Sequence, residues 1–211
     1  METGQADTYR VIENGGEGLY TEKRSRFLSF AHYVADEAAA KNWVAVYKKR
    51  FFDARHVCYA YALGNHGERT RTNDDGEPGG TAGRPILGQI HSFGVTYTLV
   101  VVVRYFGGVK LGTGGLTVAY KEAAAAALAN STIGERLITE ELTVAVPYTL
   151  MDTALRLIRE FQTDVMRREY TDTENILTLS VRKAEYDALR AHLGRLYPIR
   201  FIEQAGQPIE E

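Results

Sequence analysis

The residues from Lys110 to Gly115, Lys-Leu-Gly-Thr-Gly-Gly, set one cation and a flexible backbone just ahead of an alanine-rich run that reads as a helix. Unpaired amides at a helix start, together with the positive end of the helix dipole, attract an anion. Arg104 closes an apolar run shortly before. A strand end, a lysine, a glycine loop and a helix N-terminus form a phosphate cradle in which Gly112, Thr113, Gly114 and Gly115 supply backbone N–H groups. It is not a P-loop, because the lysine precedes the glycines. The alternative is structural: glycine lets a helix lie close on a sheet.

A second glycine turn precedes it. Asn73-Asp74-Asp75-Gly76-Glu77-Pro78 leads into Gly79-Gly80-Thr81-Ala82-Gly83-Arg84-Pro85. Asp74, Asp75 and Glu77 could hold a hard cation such as Mg²⁺, although their spacing is not that of an EF-hand loop, and an Asx-rich turn competes. Pro85 fits only the first turn of a helix, so amides near Thr81 would point outward and favour an anion. His56 and Cys58 share one face of a strand, roughly 6 to 7 Å apart. A thiolate dyad would need its base within hydrogen-bond reach and a third orienting group, and a metal would need more ligands, so a packed strand is the expectation. In Lys23-Arg24-Ser25-Arg26, strand alternation sets Lys23 and Ser25 on the face of Phe27 and sets Arg24 and Arg26 opposite. That basic hairpin is either simply solvated or a phosphate-contacting edge.

The elements that must hold these residues follow from periodicity. Val95 to Val103 is apolar without alternation, the pattern of a central strand buried on both faces. Ahead of it lie strands at Tyr9 to Ile12, Leu19 to Glu22 and Phe27 to Tyr33. A helix capped by Asp36 runs to Arg50 with Ala39, Trp43, Val46 and Tyr47 turned inward. Strands follow at Arg55 to Leu63 and Arg69 to Thr72. The glycine turns each open a helix, the second with its body over Leu116 to Ser131. From residue 135 a new unit begins: strand Leu137–Val146, helix Leu150–Phe161, strands Thr163–Tyr170 and Ile176–Val181, helix Ala184–Leu196 and strand Ile199–Glu203. This β-α-β-β-α-β order is ferredoxin-like. Its Arg167 and Arg168 read as surface charges. The domains expected are therefore residues 1–134 and 135–211.

A chain of 211 residues can bury a substantial core. Residues 1–134 carry 15 Lys+Arg against 13 Asp+Glu, and residues 135–211 carry 10 against 14. Neither half is a basic nucleic-acid footprint, so any such site must be a local patch. The single cysteine excludes a disulfide framework. The polar start METGQADTYR lacks a signal-peptide layout, and Val95 to Phe106 is too short to span a bilayer and contains Arg104. A cytoplasmic protein with no membrane partner is expected.

Taken together, Lys23-x-Ser25-Arg26-Phe27, His56-x-Cys58, DDGEPGGTAG from Asp74 to Gly83 with Pro85, RYFGG from Arg104 to Gly108, and KLGTGGL from Lys110 to Leu116 with Ala119-Tyr120 form an ordered set. In this order the chain resembles the YigZ / IMPACT family. The resemblance implies an α+β fold. Its N-terminal α/β two-layer domain would be similar to domain IV of elongation factor G and to a ribosomal small-subunit protein, and its C-terminal ferredoxin-like domain to domain V of that factor. It further implies a link to translation, because eukaryotic relatives restrain an amino-acid-starvation kinase by competing for its ribosome-associated activator. That competition is expected to need an extra N-terminal module not seen ahead of the motifs here, so the kinase-pathway partner is not carried over. Gly79 stands where the family usually has serine, which removes a hydroxyl from the first turn.

The function expected is that of a translation-associated regulatory or binding protein, without catalysis, cofactor or metal. Its glycine-rich basic surface would contact the ribosome or structured RNA through Lys23, Arg24, Arg26, Thr81, Arg104, Lys110 and the backbone of Gly112 to Gly115. A protein partner in translation is also open. One alternative is an enzyme acting on a phosphorylated small molecule or nucleotide, with Asp74, Asp75 or Glu77 on a metal and His56 as the base. Another is a protein-recognition module in which the glycines serve packing alone.

Overall fold

The computed structural model describes residues 7–202. The first six residues of the polar start, and residue 203 of the expected last strand, lie outside the described residues. The chain divides into two compact units, one over Thr8–Arg136 and the other over residues 137–202 with Asp7.

In the first unit, β1 (Thr8–Asn14) pairs with β7 (Thr132–Leu137). The main sheet has five strands in the order β2-β3-β6-β4-β5, built from β2 (Glu17–Glu22), β3 (Ser25–Tyr33), β4 (His56–Leu63), β5 (Arg69–Asn73) and β6 (Thr98–Tyr105). The all-apolar stretch became the central strand because both of its faces are covered. Val100 and Val102 face α2 (Gly83–Ser92) and α3 (Gly112–Ala129). Leu99, Val101 and Val103 face α1 (Glu37–Arg50). The fold is mixed α/β as expected, but α1 adds a third layer to the two anticipated.

Asp36 caps α1 as its sequence position indicates, its carboxylate accepting from the Ala39 amide at 2.7 Å. The buried face, however, is Ala40, Val44 and Tyr47. Trp43 instead lies at the edge, its ring stacked on His32 at 3.9 Å, and Val46 is 51% exposed. The helix is rotated from the expected phase because only the i, i+4, i+7 set meets the sheet.

Helix α3 is the element that positions the site. Ala123, Ala124 and Ala127 are fully buried, and the Ser29 hydroxyl donates to the Ala123 carbonyl at 2.6 Å. A side chain at Gly18 of β2 would come within 2.7 Å of the Ala127 amide nitrogen. Small residues on both elements therefore press this helix flush against β2 and β3.

The second unit has a four-stranded sheet in the order β11-β8-β10-β9. Its elements are β8 (Thr139–Pro147), α4 (Met151–Glu160), β9 (Asp164–Tyr170), β10 (Glu174–Arg182), α5 (Tyr186–Gly194) and β11 (Arg200–Ile202). This is the ferredoxin-like arrangement. Leu142, Val144, Leu177 and Leu179 of the sheet close a core with Ala154, Ile158, Leu189 and Leu193 of the helices. Arg167 is exposed and pairs with Glu169 at 2.7 Å.

Candidate functional site

One end of the five-stranded sheet gathers most of the singled-out residues. Register sets this: His56 lies opposite Arg104, Phe27 opposite Arg104 on the other side, and Glu22 opposite Ser25. Lys23 and Arg24 are then the two-residue turn joining β2 to β3, with φ of 44° and 67°. Both are left-handed, a tight hairpin turn for which Asn-Gly is the usual choice. Gly107 holds it in place, since a side chain there would meet the Arg24 carbonyl carbon at 2.1 Å, and its amide donates to Ser25 Oγ at 3.1 Å.

Beneath this end lies a buried polar chain. Arg104 Nη1 donates to Glu77 Oε1 at 2.6 Å, with both side chains under 10% exposed at 7% and 3%. Tyr120 donates to the same oxygen at 2.8 Å, and Cys58 Sγ donates to the Tyr120 hydroxyl at 3.3 Å. Burial pushes the Tyr120 hydroxyl far above its ordinary range, which keeps it a donor. His56 Nδ1 lies 2.7 Å from the Asp75 carbonyl; a carbonyl only accepts, so that nitrogen carries the hydrogen.

The first glycine turn contains its own anion. The Asp74 carboxylate accepts from the amides of Gly80 at 2.8 Å, Ala82 at 3.0 Å and Gly83 at 2.8 Å. It thereby caps α2, which has no cap from its neighbouring residue. Burial works to raise the Asp74 pKa, but the three amides and Arg84 outweigh it and hold the carboxyl below its ordinary range.

Among the described residues the start of α3 has no such occupant. Leu111 at its N-cap makes no side-chain cap hydrogen bond, and the first turn contains no acid. The helix leaves its first amides without intrahelical partners. A Cβ at Gly112 or Gly114 would meet nothing within 4 Å, so packing does not require glycine at either place. Gly112 has φ of 74°, a left-handed turn that does favour it. Beside these amides a cleft of about 650 Å³ opens, lined by Arg55, His56, Glu77, Arg104, Phe106 and Lys110 among others. A smaller groove of about 270 Å³ on the other side reaches Lys23.

The profile of the Impact N-terminal domain matches residues 23–128, the span that builds this end of the sheet. The IMPACT family member YvyE of Bacillus subtilis is 33% identical over 169 residues, covering 80% of this chain and 77% of its own. The chain belongs to the IMPACT family. The IMPACT family member YigZ of Escherichia coli is 40% identical over 130 residues, 61% of each chain. A crystal structure described only as that of a hypothetical protein superposes with a TM-score of 0.71 at 28% identity, over 95% of this chain and all of the other.

In this IMPACT chain the structure brings together Arg104, Lys110, Gly112, Thr113 and His56, with Lys23, Gly114 and Gly115 across the helix start. Arg24 reaches toward Gly108, its Nη2 3.9 Å from where a side chain there would begin. Two expectations change. Lys23 and Arg24 form the turn rather than strand positions on opposite faces. Arg26 keeps the expected alternation opposite Phe27, its guanidinium 5.2 Å from the Tyr105 ring on the α1 side of the sheet. Thr81 is buried with its hydroxyl donating to the Pro78 carbonyl at 2.7 Å, so it presents no hydrogen to a ligand.

The acidic segment shows why it does not present one cation site. Asp74 faces amides, Asp75 accepts from Lys48 and from the Val57 amide at 2.7 Å each, and Glu77 faces Arg104. Among the described residues no group of three or more His, Cys, Asp or Glu is placed to hold a metal ion. Reading by sequence had missed Phe106, Tyr120 and Arg55, whose roles depend on distant neighbours.

Cys58 is fully buried and burial pushes its thiol up, away from thiolate character. In the native protein we expect a thiol-modifying dye to react far more slowly than with free cysteine, and to react stoichiometrically once urea is added. Rapid native labelling would show that Cys58 is reachable, contrary to the packed-strand placement.

Proposed function

We propose that this chain is a translation-associated binding protein that holds phosphate groups of ribosomal or other structured RNA at the N-terminus of α3. The observation that carries it is the uncapped first turn of α3, open above Gly112 and Gly114, with Lys110 exposed beside it. Lys23 and Arg24 extend the positive surface across the hairpin turn. A chain with formal net charge −2 attracts RNA only through such a local patch. Membership of the IMPACT family supports the link to translation. Among the described residues no helix is long and apolar enough to cross a membrane.

The test is sedimentation of the full chain with purified ribosomal subunits at low and high salt. We expect co-sedimentation at about 50 mM salt that falls at least tenfold by about 200 mM, and that is weakened in Lys110→Ala and Lys23→Ala. Both lysines are exposed, so the variants keep the fold. Salt-independent binding, or none, contradicts the proposal.

Gly114→Ala separates site from scaffold. Its Cβ meets nothing in the protein, so thermal unfolding should stay within about 0.5 kcal/mol of wild type. Co-sedimentation should fall several-fold, because the methyl occupies the space above the amides. Unchanged binding would remove those amides from the interface.

A further inference from the structure

Arg104, which lines the cleft beside α3, has a buried donor that finds no partner among the described residues. Arg104 is 5% exposed; its Nη1 is committed to Glu77, and its Nε is the unpaired group. A buried donor left unpaired costs about 1–3 kcal/mol, and native structures retain few of them. The guanidinium lies between two aromatic rings, 5.5 Å from Phe27 and 5.6 Å from Phe106. Phe27 is fully buried, whereas Phe106 is 49% exposed on the cleft wall.

The lining is amphipathic. Lys110 and Arg55 supply positive charge beside the amides of α3, while the charges of Arg104 and Glu77 offset each other. Pro78, Phe106, Leu111 and Leu116 supply apolar surface. A ligand that fits carries an anionic group for the first and a flat ring for the second. The volume of about 650 Å³ falls within the roughly 300–1,000 Å³ of small-molecule sites.

From this geometry we infer that the cleft binds one nucleoside phosphate unit, its phosphate at the start of α3 within reach of Arg104 and Lys110 and its base stacked on Phe106. The inference rests on the reading of the α3 terminus as a phosphate site and specifies the unit that it takes. A free nucleotide and the phosphorylated end of a single RNA strand offer the same chemistry. A mid-duplex phosphate, with its bases paired and stacked, offers no ring to Phe106.

Calorimetric titration of the full chain tests it, using adenosine monophosphate, adenosine, inorganic phosphate and a short oligoadenylate with and without a terminal phosphate. Adenosine monophosphate should bind at least tenfold more tightly than either adenosine or phosphate. Phe106→Ala should weaken it about tenfold while leaving the weaker phosphate binding in place. Lys110→Ala should weaken both ligands. Oligoadenylate that binds only when phosphorylated, and competes with the nucleotide, supports the inference with an RNA end as its source. Binding of the free nucleotide but no RNA also supports the cleft assignment and overturns the RNA proposal. RNA binding that ignores terminal phosphate, with no competition by nucleotide, overturns the cleft assignment and leaves the RNA proposal standing. No binding of any probe overturns both.

Discussion

Glu77→Ala is expected to lower the stability of the first unit by about 3–5 kcal/mol, because it leaves the Arg104 guanidinium buried without its counter-charge. The pair lines the cleft but is almost wholly buried, with side-chain exposures of 7% and 3%, so water replaces little of the lost carboxylate. Tyr120 loses its acceptor at the same time, and Cys58 loses the far end of its chain. The single tryptophan, Trp43, lies on α1 of this unit, so urea unfolding followed by its fluorescence reports the relevant transition even if the two units melt separately. The double variant Glu77→Gln with Arg104→Met should recover much of the loss, since it removes both charges and leaves an amide oxygen to accept from Tyr120. A single-variant loss below about 1 kcal/mol, the range of an exposed ion pair, would contradict the buried network. For the same reason Arg104→Ala is a poor probe of binding: it strands Glu77.

Asp74→Ala should cost about 2 kcal/mol through the start of α2, the upper range for loss of a capping side chain. The carboxylate serves three amides at once, and hydrogen bonds to an ionised acceptor are the stronger kind. Asp74→Asn retains one acceptor oxygen and should lose less. The pH dependence has a definite sign. Asp74 titrates lower in the folded chain than in the unfolded one, so its contribution is complete above the ordinary carboxylate range. As pH falls below that range and through the lowered folded pKa, the contribution disappears. The stability gap between wild type and Asp74→Ala should therefore be constant from neutral pH down to the carboxylate range and narrow below it. A gap that is unchanged on acidification, or that widens, would show that the ionised carboxylate is not the cap.

These two residues also show where sequence reading succeeded and where it stopped. The segment 74–78 was legible as an Asx turn, and Asp75 does donate its amide to Asn73 Oδ1 at 2.9 Å. What could not be read is that the Asp74 carboxylate occupies the amides expected to await a ligand. Nor could Glu77 be matched to Arg104, its partner 27 residues away, because the pairing exists only once β6 lies beside the turn. The central strand was legible from its unbroken apolar run, although β6 begins at Thr98 rather than Val95. Tyr97 has φ of 49°, and Thr96 donates to the Arg10 carbonyl instead of continuing the ladder. Strand β7 was missed because its burial barely alternates, leaving no period-two signal. The Lys23-Arg24 turn lacks the Asn-Gly signature, and the close backbone of Gly107 that fixes it comes from the loop after β6. The start of α3 was the most legible feature: lysine, glycines and helix were read in order, and packing does not require glycine at Gly112 or Gly114, where a Cβ would meet nothing within 4 Å.

The measurement that tests phosphate contact at α3 most directly is the salt dependence of ribosomal RNA binding, compared between wild type and Lys110→Ala. Each phosphate contact contributes about 0.7–0.9 to the slope of log affinity against log salt. Loss of Lys110 should reduce the slope by about that amount while lowering affinity at every salt concentration. Identical slopes and affinities in the two proteins would mean that RNA, if bound, is bound elsewhere, and would contradict the assignment of the α3 terminus as the phosphate site.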